Sequence, residues 1–169
     1  MNDQMQTRTD VTVRFAGPDD WEAWRDLRLR ALQDSPSAFG STYEREAAFD
    51  ETTWRDRLSA REPASVAVLA CRDDVPVGMG AGFGDLPGFV HVVAMWTAPE
   101  HRGQGVGAAV LDALAGWAAG GGYRLHLDVN TANLAARALY ERRGYVPTGE
   151  TRPLREGSDE LVERMVLGG

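Results

Sequence analysis

The sequence has little cysteine, no lysine and no long apolar run. Its 169 residues contain one cysteine, Cys71, so a disulfide within the chain is excluded and a thiolate zinc cluster has too few ligands. No apolar run approaches the ~18 residues of a membrane span, and residues 1–10 lack the apolar core of a secretory signal. These absences favour a cytoplasmic protein that does not bind membranes.

Acidic residues outnumber basic residues by 25 to 18, which gives a net charge of −7. A surface of this sign repels phosphodiester backbones, so nucleic-acid binding is not expected, whereas a small cationic amine would be attracted. The length suits one domain. We expect a flexible tail over residues 1–10 and a single domain over residues 11–169, and the sequence does not decide between a monomer and a homodimer.

Apolar periodicity predicts an α+β protein. Short connections join the second, third and fourth predicted strands, which favours an antiparallel meander. The glycines of residues 77–83 predict a bulge or an exposed sheet edge there. Residues 39–43 are predicted as a loop. The predicted strands are 11–15, 65–72, 77–83, 89–97, 125–129, 145–148 and 161–167, and the predicted helices are 18–35, 54–61, 105–119 and 133–143.

The segment MWTAPEHRGQGVG, residues 95–107, carries the main chemical signal. A strand ends there and a helix begins, and Gly103, Gly105 and Gly107 have no Cβ to keep a ligand from the main chain. Free N–H groups and the helix dipole at such a start favour a phosphate, and Arg102 adds a positive charge. The spacing fits neither a P-loop nor a dinucleotide fingerprint. The residues alone therefore predict an unspecified phosphate-bearing cofactor, with a glycine turn used only for packing as the alternative.

Two motifs resemble those of the GNAT superfamily of acyl-CoA-dependent N-acyltransferases. Arg102–Gly107 resembles the family's Arg/Gln-x-x-Gly-x-Gly/Ala signature. Asn133–Tyr145 resembles its second hallmark, Asn-x-x-Ala-x-x-Leu-Tyr-x-x-x-Gly-Phe, with tyrosine in place of the final phenylalanine. The resemblance covers residues 89–148. It implies a GNAT-like fold: a mixed, mainly antiparallel twisted sheet of about six to seven strands, with helices on both faces.

The resemblance also implies the ligand, acetyl-CoA, held in a cleft between two splayed neighbouring strands. Pantetheine would pair with the strand edge at Met95, Trp96 and Thr97, in a form of β-augmentation. Asn133 would hydrogen-bond to the pantetheine arm, and Tyr140 would lie near the sulfur. The diphosphate would rest on the backbone amides of Arg102, Gly103, Gln104, Gly105, Val106 and Gly107.

The implied activity is an N-acetyltransferase that moves acetyl from acetyl-CoA to a primary amine of a small molecule or peptide by direct attack. Tyr140 is our candidate acid. Its reference pKa of ~10 exceeds the ~8.5 of a thiol, so proton transfer to the thiolate is not strongly favoured, and we expect Tyr140 mainly to donate a hydrogen bond to the sulfur. His91 lies eleven residues before Arg102, where some family members place an acidic base, and its reference pKa of ~6.5 suits proton abstraction. Glu44, Glu46 and a chain of water molecules are the alternative bases.

No metal is expected, because the three histidines lack metal-ligand spacing along the sequence. Two alternative functions remain open at this point. One is an acetyl-CoA sensor without turnover, and the other is a partner-binding domain in which the glycine turn only packs. Cys71 lies in an apolar strand and is expected to be a buried thiol.

Overall fold

In the computed structural model of the protein, residues 10–169 are described, so the tail predicted for residues 1–10 lies almost entirely outside them. The described part contains seven strands and five α-helices. The helices are α1 (Trp21–Asp34), α2 (Tyr43–Ala47), α3 (Glu51–Arg57), α4 (Val106–Gly120) and α5 (Leu134–Arg142). The strands are β1 (Thr12–Phe15), β2 (Ser65–Arg72), β3 (Val75–Leu86), β4 (Phe89–Thr97), β5 (Arg124–Asn130), β6 (Tyr145–Pro153) and β7 (Leu161–Leu167).

The strands form one mixed sheet in the order β1-β2-β3-β4-β5-β7-β6. The predicted meander β2-β3-β4 is antiparallel, and β4 and β5 form the parallel pair. The connection from β4 to β5 must therefore cross back over the sheet, and α4 makes that crossing. The predicted mixed, mainly antiparallel sheet is confirmed.

Four elements differ clearly from their predicted form. The glycine-rich strand β3 has the predicted irregularities, with register shifts near Met79 and Gly84, but it lies between β2 and β4, so the edge alternative is wrong. The predicted helix 54–61 begins earlier, at Glu51, where the Asp50 side chain accepts a hydrogen bond from Thr53 N–H and caps it. The short helix α2 was not predicted, and β6 runs to Pro153 instead of residue 148.

The glycines of β3 allow α4 to pack directly on the sheet. A Cβ at Gly78 would lie 2.5 Å from Val106 Cγ1, and one at Gly80 would lie 2.6 Å from Val110 Cγ1. Both valines are fully buried. The missing side chains therefore set the distance between the sheet and the helix that begins after the glycine turn.

Helices cover both faces of the sheet, as predicted. Helices α4 and α5 pack on one face against Val90, Val92 and Leu127, whereas α1 and α3 pack on the other against Leu69 and Met79. Cys71 is buried in the second layer, as expected. Among residues 10–169, no helix is both long and apolar enough to cross a membrane.

Candidate functional site

The parallel strands β4 and β5 separate part of the way along their length. Their pairing runs only from Phe89–Arg124 to Val92–Leu127. Beyond that point β4 continues beside β3, and β5 continues beside β7. Ala94, with φ +58°, lies at a bulge in β4 at the start of the separation. Main-chain groups of residues 93–97 that do not face β3 therefore face an opening in the sheet.

The glycine turn lies where β4 ends and α4 begins. Gly103 and Gly105 have φ of +71° and +85°, a left-handed conformation that glycine adopts without strain. Within the described chain, no backbone hydrogen bond is donated by the N–H groups of residues 103–108. Gly107 lies against Leu139 of α5, since a Cβ there would be 3.0 Å from Leu139 Cδ2. The two sequence motifs thus meet beside a cluster of free N–H donors that can hold an anion.

The side chain of Arg102 is turned toward α1. Its Nη2 donates to Asp34 at 2.6 Å and its Nε donates to the Thr97 carbonyl at 3.0 Å. The indole N–H of Trp96, a buried side chain on the α1 face, donates to the same Asp34 carboxylate. Hydrogen bonds from Ser35 and Arg102 lower the pKa of Asp34 to about 2. The Asp34 carboxylate therefore partly neutralises the Arg102 guanidinium. An anion bound at the glycine turn would be held mainly by the backbone N–H groups of the turn.

A cavity of about 520 Å³ occupies the opening between β4 and β5. Its wall combines residues from both faces of the sheet, including Tyr140 of α5 and Glu46 of α2. Four predicted site residues line this cavity together: His91, Met95, Asn133 and Tyr140. The cavity is not lined by Trp96, Thr97 or the glycine turn. These predicted site residues lie at the end of β4 and in the connection from β4 to α4.

Asn133 and Tyr140 lie at opposite ends of α5. The Asn133 side-chain oxygen accepts from Ala136 N–H at 3.1 Å and caps the helix, as its position predicted. Its amide NH₂ remains a donor for a ligand. Burial raises the pKa of Tyr140 to about 12, so its hydroxyl keeps its proton at neutral pH. Tyr140 can therefore act as a hydrogen-bond donor.

His91 belongs to a polar cluster formed by β3, β4 and β5. Its Nδ1 lies 3.5 Å from Asp85 and its Nε2 lies 3.5 Å from Asp128. His126 Nε2 lies 2.8 Å from the same Asp85 side chain. Burial lowers the pKa of His91, and the Asp128 carboxylate opposes this only in part. His91 is therefore neutral near pH 7, the form that can accept a proton.

The cluster also bears on metal binding. Asp85, His91 and His126 place three ligand atoms within 4.8 Å of one another, a set that could hold a metal ion. Spacing along the sequence could not show this, because the register of β4 and β5 brings His91 opposite His126. The alternation of β5, which puts His126 and Asp128 on one face, was the available signal.

The two glutamates proposed as alternative bases differ sharply. Glu46 is fully buried, and both of its oxygens accept hydrogen bonds from Arg28, at 2.9 Å and 3.0 Å. Burial opposes its ionisation, but the hydrogen bonds and charge of Arg28 lower its pKa overall. Glu44 is exposed and does not line the cavity. Glu46 is thus held in a buried ion pair, and Glu44 lies outside the cavity.

Comparison with known proteins finds a matching family model and a curated relative. The sequence model of the acetyltransferase (GNAT) family matches residues 21–145. The uncharacterized N-acetyltransferase YobR of Bacillus subtilis (strain 168) is 40% identical over 70 residues, which are 41% of this chain and 26% of YobR. The match therefore spans about a quarter of that curated relative.

Solved structures share the fold. A GCN5-related N-acetyltransferase from Kribbella flavida superposes with a TM-score of 0.74 at 21% identity, covering 92% of this chain and 96% of that chain. The structure of yncA from Salmonella typhimurium with its cofactor acetyl-CoA gives a TM-score of 0.74 at 18% identity. The superposition covers 94% of this chain and 93% of that chain. At these identities the likeness shows the fold alone.

Proposed function

Because the chain belongs to the acetyltransferase (GNAT) family, we propose that it transfers an acetyl group from acetyl-CoA to a primary amine. The observation that carries the proposal is the opening between β4 and β5, which begins after Val92 and leads to the free N–H groups of the glycine turn. When bound, acetyl-CoA supplies the acetyl thioester. The opening and the turn fit an extended thiol arm that ends in a diphosphate.

Main-chain groups hold most of the cosubstrate in this proposal. The N–H groups of residues 103–107 bind the diphosphate, with the N–H of Arg102 at the edge of the turn. Main-chain groups of Met95, Trp96 and Thr97 pair with the pantetheine arm as an added strand would. The free amide NH₂ of Asn133 donates to the same arm. In this proposal the cosubstrate is held mainly by backbone groups, whose conformation is set by glycines, and less by side-chain charge.

The chemistry requires a base, an oxyanion donor and a donor to the leaving sulfur. His91, neutral at pH 7, removes the proton that the acceptor ammonium must lose before nitrogen can attack. A main-chain N–H beside Trp96 stabilises the negative charge that develops on the carbonyl oxygen as the C–N bond forms. The C–S bond then breaks, and Tyr140 donates a hydrogen bond or its proton to the departing thiolate. No covalent acyl-enzyme is needed.

The acceptor is a primary amine of a small molecule or peptide. A second cavity, of about 720 Å³, adjoins the first and shares Arg28, Arg57 and Phe83 with it, so part of an acceptor bound near His91 has room to extend toward the α1–α3 side. We further propose that residues 11–169 act as one cytoplasmic domain without a metal cofactor, as a monomer or homodimer.

The test combines binding with turnover. Acetyl-CoA should raise the melting temperature, since a ligand that binds only the folded state stabilises it. S-acetylpantetheine, which lacks the diphosphate, should bind at least about 100-fold more weakly if several charge-assisted hydrogen bonds are lost. Free thiol release across a panel of amines then measures transfer. Binding without thiol release from any amine would indicate a sensor, and no binding at all would remove the proposal.

A further inference from the structure

The cavity between β4 and β5 is rich in arginine, in contrast to the protein as a whole. Among residues 10–169, two carboxylates line the cavity, Glu46 and Asp128, together with four guanidinium groups. The chain as a whole carries a net charge of −7. The four arginines of the wall are Arg28, Arg45, Arg57 and Arg152.

Each carboxylate of the cavity is shared between two arginines. Glu46 binds Arg28 through both oxygens and lies 3.7 Å from Arg57. Asp128 accepts from Arg164 at 3.0 Å and also pairs with Arg152. Neither carboxylate can therefore neutralise the guanidinium groups around it, and an excess of positive charge remains on the wall.

Arg45 is the least compensated of these arginines. Within residues 10–169, no carboxylate oxygen lies within 4.0 Å of its guanidinium group. Burial lowers the pKa of Arg57, and the positive charges of Arg28 and Arg45 lower it further, against the opposing effect of Glu46. Arg45 and Arg57 thus face the same cavity with their mutual repulsion only partly relieved.

We propose that the acceptor carries an anionic group, a carboxylate or a phosphate, in addition to its primary amine. This inference rests on the proposed function and names its substrate class. The amine lies near His91 and Tyr140, and the anionic group reaches Arg45 and Arg57, all on the wall of one cavity. A guanidinium forms its strongest hydrogen bonds with such anions. The net charge of the chain had favoured a cationic acceptor, and the local charges of the cavity reverse that expectation.

The test compares amines that differ in charge at one end. We would measure kcat/KM with acetyl-CoA for 4-aminobutyrate, n-butylamine and 1,4-diaminobutane, with 3-aminopropyl phosphate as the phosphate probe. We expect the better of the two anionic amines to exceed n-butylamine by about tenfold or more, the range of one charge-assisted hydrogen bond, and the diamine to be poorest. The two anionic probes together identify which anion the site prefers.

Substitutions of Arg45 and Arg57 test whether these arginines cause the preference for an anionic amine. Arg45→Gln and Arg57→Gln should each reduce the ratio of kcat/KM for the anionic amine to kcat/KM for n-butylamine by about five- to tenfold, because only the anionic amine loses a charge-assisted hydrogen bond. Arg142→Gln, on the exposed end of α5 and away from the cavity, is the matched control and should leave the ratio unchanged. Arg28 is not used, because removing it would leave Glu46 buried without its main partner.

A second readout needs no turnover. In the presence of CoA, 4-acetamidobutyrate should bind more tightly than N-butylacetamide, and Arg45→Gln should remove the difference. Equal or absent binding of the two products, or a preference for the diamine, would overturn the inference. Failure of acetyl-CoA itself to bind would instead overturn the proposed function, so the two failures can be distinguished.

Discussion

The buried pair of Glu46 and Arg28 gives the most direct test of the structure. Glu46 is fully buried, Arg28 is 9% exposed, and two hydrogen bonds of 2.9 Å and 3.0 Å join them. Replacing Glu46 with glutamine keeps the shape but removes the charge, which leaves the Arg28 guanidinium buried without its counterion. We expect Glu46→Gln to lower the free energy of unfolding.

The magnitude follows from the cost of an uncompensated buried charge. Breaking a buried pair by removing one partner costs about 3–5 kcal/mol. The glutamine oxygen can still accept one hydrogen bond from Arg28, and Arg57 loses only a distant partner at 3.7 Å, so we expect about 3 kcal/mol. The pKa of Glu46 is lowered in the fold, so the carboxylate contributes its stability above its unfolded pKa and loses it as pH falls through the folded value.

Urea unfolding monitored by tryptophan fluorescence measures both effects. Glu44→Gln is the matched control, since Glu44 is exposed and two residues away, and it should change the free energy by less than about 0.5 kcal/mol. As pH falls through the folded pKa of Glu46, which lies below its ordinary value, the difference between wild type and Glu46→Gln should shrink, because the wild-type carboxylate then becomes protonated. A cost below about 1 kcal/mol at pH 7, or a difference that grows in acid, would refute the buried ion pair.

Four further predictions concern the site and its supports. Tyr140→Phe should lower kcat with little change in acetyl-CoA affinity, and an unchanged kcat would remove Tyr140 from the chemistry. Burial raises the pKa of Tyr140 to about 12, so the wild-type rate should show no tyrosine titration below pH 10. His91→Ala should abolish the acid limb of the pH–rate profile, which in wild type lies below ~6.5 because burial lowers the pKa of His91; superimposable profiles would exclude it as the base. Gly80→Ala should cost about 1–3 kcal/mol in urea unfolding, since its Cβ would lie 2.6 Å from Val110, whereas Gly116→Ala, which meets no atom, should be neutral or stabilising. Removal of metal with EDTA should leave thiol release unchanged, and a loss restored by Zn²⁺ would assign a metal to the His91 cluster.

The limits of strands and helices were predicted most accurately where the local sequence pattern was strong. Strands β2, β4 and β7 have the predicted limits, because each is an apolar run bounded by a turn or a change of period. Asn133 and Gly144 marked the ends of α5 correctly, as a capping side chain and a residue with φ +92°. Short helices were less predictable: α2 has five residues and depends on burial of Glu46 against Arg28, a contact from outside the helix.

The site was only partly predictable for a similar reason. The glycine turn and Asn133 lie in continuous motifs, so their spacing was visible in the sequence. Asp85 and His126 join His91 only through strand register, which a single sequence does not fix. The partner that holds Arg102, Asp34, lies 68 positions away at the end of α1, so the loss of its charge to an ion pair could not be predicted.

The charge of the cavity shows why total charge is a poor guide to a ligand. Charges separated by more than a Debye length, about 8 Å at physiological salt, are largely screened when they are exposed. The acidic residues that give the chain its net charge of −7 therefore act weakly on a ligand held between β4 and β5. Arg45 and Arg57 lie on the wall of that cavity, so they lie within a Debye length of a ligand held in it. The nearest few charges decide which acceptor is bound, and here most of them are positive.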